Sequence, residues 1–255
     1  CFEKDEKENI ALKVMGNEVT ASVVKTVFDA DVVISISKMK THNLTRITGA
    51  VKNNFGFIPG FAKALWHKKF TRVEEFSAFV TELAKALPVK LHIMDGIEAM
   101  DLQGPASGRV KKNNVLIASE SPVAVDMGFC KVVGLKPKTV PIMKYCRKIG
   151  WGPADFADVD FVGTPIDQCI VKGYVVPPAP PIYLVPDFIL ELIPNCPNLI
   201  IVNDSIIEET YFRNKNRNIS IWKVENRFFN PIFSKMSNVA SFGIFFSPKN
   251  PVFMM

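Results

Sequence analysis

From Val32 to Val73 the chain holds no Asp or Glu, although it places eight Lys or Arg and two His there and carries 25 carboxylates elsewhere. Without local acids to neutralise them, such cations are solvated or face a ligand with negative charge. Other absences narrow the choice. No Gly-rich phosphate loop of Walker or Rossmann form is present, since Gly49 to Gly56 has the wrong spacing for either. The five cysteines, Cys1, Cys130, Cys146, Cys169 and Cys196, are odd in number and far apart, which excludes a disulfide framework and a Cys-x-x-Cys metal site and points to a reducing compartment. No apolar run reaches the roughly 18 residues that span a bilayer, and Cys1 to Glu8 is too charged for a signal peptide, so no membrane is expected and the expected location is cytoplasmic. The formal charge of +6 and pI near 9 permit nucleic-acid binding, but no helix-turn-helix, zinc-finger or RNA-binding signature accompanies them, so nucleic acid is set aside. The chain does not start with Met, which implies a start inside a longer product.

What is present reads as an α/β fold: a mostly parallel sheet with helices on both faces, followed by an irregular C-terminal tail. Ile10 to Val14 is a strand. Val19 to Phe28 fits both periods, and a helix is favoured for Ala21 to Phe28. The β-branched run Asp31 to Ser37 predicts a buried strand that ends where the basic window begins, at Lys38. Phe57 to Gly60 is a turn and Phe61 to Lys69 a short helix. Thr71-Arg-Val-Glu74 resembles a capping box opening a helix to about Leu87, with Phe76, Phe79, Val80 and Leu83 on one face and Pro88 as its stop. Val89 to Asp95 is a strand with a turn at Gly96; Asn114 to Ser119 is another, and Ser121-Pro122 caps the next helix. A helix from Val140 to Ile149 and a strand from Asp158 to Gly163 complete a domain over residues 1–173. Residues 174–182 form a proline-rich linker. In the tail, 183–255, Gly243 is the sole glycine and phenylalanine and asparagine are abundant, a composition unlike the first part.

Ligands of open α/β sheets sit outside the carboxyl ends of strands, where this reading places the basic window. The candidate catalytic residues are His42, Lys52 and Asp126. The candidate ligand-binding residues are Lys38, Lys40, Thr41, Thr48, Asn53, His67 and Asp95. Each has a plainer reading: Asp95 holding the turn before Gly96, Asp126 favoured by a helix dipole, and His67 packed beside Trp66. Lys63, Lys68 and Lys69 read as a solvated face and His92 as structural.

Several segments in order resemble one family: Lys38-Met-Lys-Thr-His42, Thr48-Gly-Ala-Val-Lys-Asn-Asn-Phe-Gly56, His67, Asp95-Gly-Ile-Glu-Ala-Met100, Gly104-Pro105, and Ser121-Pro-Val-Ala-Val-Asp126 followed by Gly134-Leu. Over Asp31 to about Gly163 the chain resembles the DUF362 family of uncharacterised prokaryotic proteins. The resemblance implies an additional N-terminal α/β portion. It also implies, for many members, C-terminal ferredoxin-like segments that bind two four-iron clusters through Cys-x-x-Cys-x-x-Cys-x-x-x-Cys-Pro runs. This tail has only Cys196, before Pro197, so no iron-sulfur cluster is expected within the chain, and a reading frame that departs from the family near the linker is one explanation.

Two functions follow. In the first, an enzyme or former enzyme acts on a small anionic substrate, a phosphate or carboxylate: Lys40, Lys52 and Asn53 hold the anion, and His42 or Asp126 moves a proton. In the second, a non-catalytic, redox-associated accessory binds an anionic cofactor or an acidic redox partner protein. Divalent metal binding by Asp95, Asp126 and a histidine is a minor third.

Overall fold

The computed structural model describes residues 2–60, 62–178 and 251–254, which fall in one packed unit. A hairpin comes first, β1 (Lys7–Val14) against β2 (Asn17–Val24), turning at Met15-Gly16 with both φ angles positive. The helix favoured over Ala21 to Phe28 is therefore corrected: the strand period wins, burying Val19, Ala21 and Val23, and only α1 (Thr26–Asp29) is helical.

Next come β3 (Val33–His42), β4 (Arg46–Ile47), α2 (Gly49–Asn53), α3 (Ala62–Lys69), α4 (Val73–Ala86), β5 (Val89–Asp101), β6 (Arg109–Ser119) and α5 (Pro122–Val133). The described chain closes with α6 (Pro141–Lys148), β7 (Asp160–Gly163), α7 (Ile166–Cys169) and β8 (Pro251–Met254). Ser121 Oγ accepts the Ala124 N–H at 3.3 Å with Pro122 in the first turn, as the sequence implied, and Gly134 ends α5 at φ +70°. At α4 the apolar face is as read, with Phe76, Phe79, Val80 and Leu83 fully buried. No capping box forms there, because the cap position falls on Arg72, which makes no side-chain cap bond.

The main sheet has the order β4-β3-β5-β6-β8-β7. It is mixed, not mostly parallel: β3–β5 and β7–β8 are parallel, while β3–β4, β5–β6 and β6–β8 are antiparallel. The loop between β5 and β6 is too short for a crossover helix, so the chain folds back on itself. Two strand ends also move. β3 runs on through Lys38 and Lys40 to His42, so the basic window starts inside the strand. β5 does not stop at Gly96 but bulges between Gly96 and Glu98 and continues to Asp101. A Cβ at Gly96 would stand 2.8 Å from Val115 Cγ1, so this glycine permits close packing of two strands and makes no turn.

In β3, Ser35, Ser37, Met39 and Thr41 are buried, while Ile34 and Ile36 are 50% and 48% exposed. The buried side faces α2, from which Asn53 reaches Ser35, so among the described residues the helical cover of β3 falls on one face and not on both. Behind α2 lies α4, which also packs on α6 and β1. At the far end of β5 the Asp101 carboxylate is fully buried in a two-pronged pair with Arg109, at 3.0 and 2.7 Å, and accepts the Val175 N–H at 3.0 Å. Tyr174 donates its hydroxyl to Met100 O at 2.6 Å. The rest of the linker and the tail up to Asn250 lie outside the described residues, as does the frame-shift explanation.

Gly49 opens α2 at φ +62°, and a Cβ there would fall 2.5 Å from Asp126 Oδ1, a buried atom held by backbone donors. Gly49→Ala is expected to cost about 2 to 4 kcal/mol in urea unfolding. Gly134→Ala, at φ +70° with nothing within 4 Å of the new Cβ, should cost about 1 kcal/mol, the backbone contribution alone. Equal losses at the two positions would show that the Asp126 contact is not what requires glycine at Gly49.

Candidate functional site

The site residues divide by what each side chain does. Asp126, on α5, is buried and receives the first N–H groups of α2: Ala50 N–H on Oδ1 at 2.5 Å and Val51 N–H on Oδ2 at 3.2 Å. Its oxygens accept donors that a helix start leaves without a partner in the helix. Burial pushes its carboxyl up to about 7, against the pull of those two donors.

Thr48 and Asn53 attend to the outer edge of β3, which β4 covers only at Thr41 and His42. Lys40 O accepts the Thr48 N–H at 2.9 Å, Lys38 O and Lys40 O lie 3.2 Å from Thr48 Oγ1, and Ile36 O accepts from Asn53 Nδ2 at 3.3 Å. Among the described residues, these groups stand in for a strand along the part of that edge that β4 does not cover. Thr41 Oγ1 donates to Leu102 O at 2.9 Å and accepts the Gly104 N–H at 3.2 Å, tying the loop after β5 to the end of β3.

Lys38 and Asp95 are partners across β3 and β5 and form an ion pair of 2.9 Å. Asp95 also accepts the Ile97 N–H at 2.9 Å, a local bond within the bulge. Lys40 is partly buried two residues beyond Lys38 on the same side of the strand.

His42, Lys52 and His67 are electrostatically linked. His42 is 2% exposed, and its Nδ1 accepts the Leu44 and Thr45 N–H groups at 3.0 and 3.4 Å, which leaves the proton on Nε2. Burial, then the charges of Lys52 and His67, hold its pKa well below the usual range. His67 lies face to face with Phe76 at 4.2 Å and 20°, and Phe55 meets its ring edge-on at 5.7 Å. Burial and then Lys52 lower its pKa to about 3. Among the described residues, the charges that shift the two rings are those of Lys52 and His67 at His42 and of Lys52 at His67.

Asp95, Asp126 and a histidine are not brought together: among the described residues no group of three or more His, Cys, Asp or Glu is placed to hold a metal ion. Four-iron clusters do not fit the described cysteines either. Cys130, Cys146 and Cys169 are buried thiols, and burial pushes Cys146 up to about 12 and raises the other two. A hollow lined by Phe2, Lys4, Asp5 and Thr26 includes none of the candidate residues. The Asp101–Arg109 pair escaped the sequence reading, because two residues that meet at the mouth of a ribbon carry no signal until the register is known.

The profile of the family described as "Domain of unknown function (DUF362)" matches residues 2–131 of the 255. The chain belongs to the DUF362 family. All ten candidate residues fall within the DUF362 match. The chain is also similar to the "Thylakoid-associated protein sll1697" of Synechocystis sp., at 34% identity over 154 residues, covering 60% of this chain and 48% of that protein. It thus spans about half the length of this curated DUF362 relative. No solved structure matches the chain.

All three histidines have lowered pKa values: His42 and His92 are buried and His67 is half-buried, and burial takes His92 to about 4. In the unfolded chain each takes a proton near its ordinary value of 6.5, so each withdraws stability as pH falls below that value. Asp126 runs the other way: the native state keeps its proton up to about 7 whereas the unfolded chain loses it near 3.8, so its contribution declines as pH rises between them. Three groups against one leave a net uptake of about two protons on unfolding, a loss of about 2.7 kcal/mol per unit of acidification between about pH 4.5 and 6. Urea midpoints across that window measure it, and His92→Gln should remove about one proton from the slope. A flat profile would contradict neutral, buried imidazoles.

Proposed function

We propose that this DUF362 chain binds a small oxoanion, a phosphate or carboxylate group, at Lys52, with His42 as a neutral hydrogen-bond donor and His67 closing the site. The observation that carries the reading is that the charge of Lys52 lowers two imidazoles from different elements, β3 and α3, within a stretch of chain that holds no Asp or Glu. An anion there would meet donors already oriented, and the surrounding window contributes only positive charge. Lys40, one residue from Thr41 on the same strand, extends the positive field along β3. The ligand contacts first assigned to Thr41, Thr48, Asn53 and Asp95 are replaced in this reading by positioning roles, since their polar atoms hold loop, edge and bulge.

A second reading, docking of an acidic or redox partner protein, draws support from α3. Leu65 is 66% exposed beside exposed Lys68 and Lys69 on one stripe of that helix. A cytoplasmic location belongs with either reading. No described helix is long and apolar enough to cross a membrane, and the name of the Synechocystis relative associates that protein with thylakoids.

Thermal unfolding against a panel of phosphates, carboxylates and acidic polypeptides tests both. A small oxoanion at about a hundred times its dissociation constant should add about 2.7 kcal/mol, a midpoint rise of several degrees, and Lys52→Ala should abolish the rise. A rise of full size in Lys52→Ala, or no rise with any small oxoanion, overturns the first reading. A response to acidic polypeptide alone, lost when Lys68 and Lys69 are changed to Ala, establishes the second.

A further inference from the structure

We propose that the face of β3, β5 and β6 turned away from α2 is the contact surface of a two-fold dimer, covered by the same face of a second copy of this chain turned end for end. The proposal is independent of the anion reading and uses neither Lys52 nor any histidine.

The first observation is the inverted pattern of β3. Its serines, Ser35 and Ser37, are buried on the α2 side, while its isoleucines, Ile34 and Ile36, stand half exposed on the other. A strand with one face in water shows the reverse, apolar side inward and polar side outward, and parallel pairs such as β3–β5 are ordinarily covered on both faces. Register extends the patch across the sheet. Ile34 is level with Leu91 and Ile36 with Ile93 on β5, while Ile93 is level with Ala118 and Asp95 with Leu116 on β6. Because side chains alternate along a strand, Leu91, Ile93, Leu116 and Ala118 therefore share the face of the two isoleucines. Leu91, Ile93 and Leu116 are partly exposed, and Val32, just before β3, is 62% exposed. None of Ile34, Ile36, Leu91, Ile93 and Leu116 belongs to the core that α2 and α5 close over the opposite face. The patch is contiguous, three strands wide and about 20 Å long, which marks a contact surface.

Charge at the two ends of β3 selects the occupant. The chain enters this strand past two exposed carboxylates, Asp29 and Asp31. It leaves the patch at Lys38, which pairs with Asp95 at 2.9 Å and keeps 28% of its side chain exposed. A partner of one sign, such as an anionic lipid surface or an acidic protein, is attracted at one end and repelled at the other. A second copy turned end for end matches both ends, because its Asp31 comes over Lys38 and its Lys38 over Asp31. The two-fold axis then lies between the sheets and across the strands near Ile34 and Ser35, half-way from Asp31 to Lys38. Sheets packed face to face stand about 10 Å apart, a gap that two interdigitating layers of isoleucine and leucine fill. The patch is smaller than the roughly 800 Å² per partner of a standard interface, so the dimer is a weak, reversible one.

Sedimentation equilibrium of the full chain over about 1 to 300 µM, the range of such an interface, tests the proposal. The mass should rise with concentration from that of the 28.5 kDa chain toward twice that value. Ile36→Lys, which buries an ammonium at the centre of the contact, should weaken the dimer at least about tenfold. Asp31→Lys, which sets like charges together at both ends, should weaken it several-fold at low ionic strength. Ile170→Lys, at an exposed position outside this sheet, should leave it unchanged. Hydroxyl-radical footprinting of the unaltered chain needs no variant: Ile34 and Ile36 should lose reactivity as concentration rises, and Ile170 should not. A chain that stays monomeric throughout overturns the proposal, as does a dimer that either Ile36→Lys or Asp31→Lys leaves intact. Shielding of Ile34 and Ile36 only on addition of anionic lipid vesicles or of an acidic polypeptide overturns it too, in favour of that other occupant.

Discussion

The two N–H groups that Ala50 and Val51 direct onto the Asp126 carboxylate, at 2.5 and 3.2 Å, are the constraint on which the rest of this site depends. α2 is only five residues long, too short to persist by its own hydrogen bonds. Asp126 holds its first turn to α5, and Gly49 lets the carboxylate come close enough to do so. Everything α2 delivers follows from that anchorage: Lys52 toward the two imidazoles, Asn53 toward β3, and Asn54 turned back onto the carbonyls of Ala50 and Val51. The carboxyl group of Asp126 accepts the N–H groups that the start of α2 leaves unpaired.

The same economy appears at the strand edge. β3 has a partner on one side along its length but meets β4 at only two residues on the other. Such an edge invites pairing with another chain. Thr48 and Asn53 reach its carbonyls at Ile36, Lys38 and Lys40, so the stretch that follows the strand in sequence also covers it in space. Hydroxyl and amide groups in a basic window look like ligand contacts when only their types are visible. Their bonds here are to main chain.

Much of this was legible without coordinates. The apolar face of α4, the Ser121-Pro122 cap of α5 and the motifs that mark the DUF362 family all rest on local spacing, and local spacing survives folding. What was misread shares a cause. The hairpin strand β2, the run-on of β3 through its lysines and the bulge in β5 at Gly96 all depend on which neighbour supplies the other half of the hydrogen bonds. Val19 to Phe28 satisfied two periods at once, and pairing with β1 chose between them. Gly96 was taken for a turn because glycine commonly marks one, whereas Val115 across the sheet leaves no room for a Cβ.

The sequence by itself determined that the protein would carry a cationic window with no acid in it and that the chain is a DUF362 protein, because composition and motif order do not change on folding. Only the tertiary structure decided which members of that window are spent on the scaffold and which share a common field. Lys38 finds Asp95 through strand register, Asp126 finds α2 through helix packing, and His42, Lys52 and His67 are drawn into mutual range by three elements. The physical reason is one of distance: an ionisable group's behaviour is set by burial and by charges a few ångströms away, and those neighbours lie tens of residues apart along the chain.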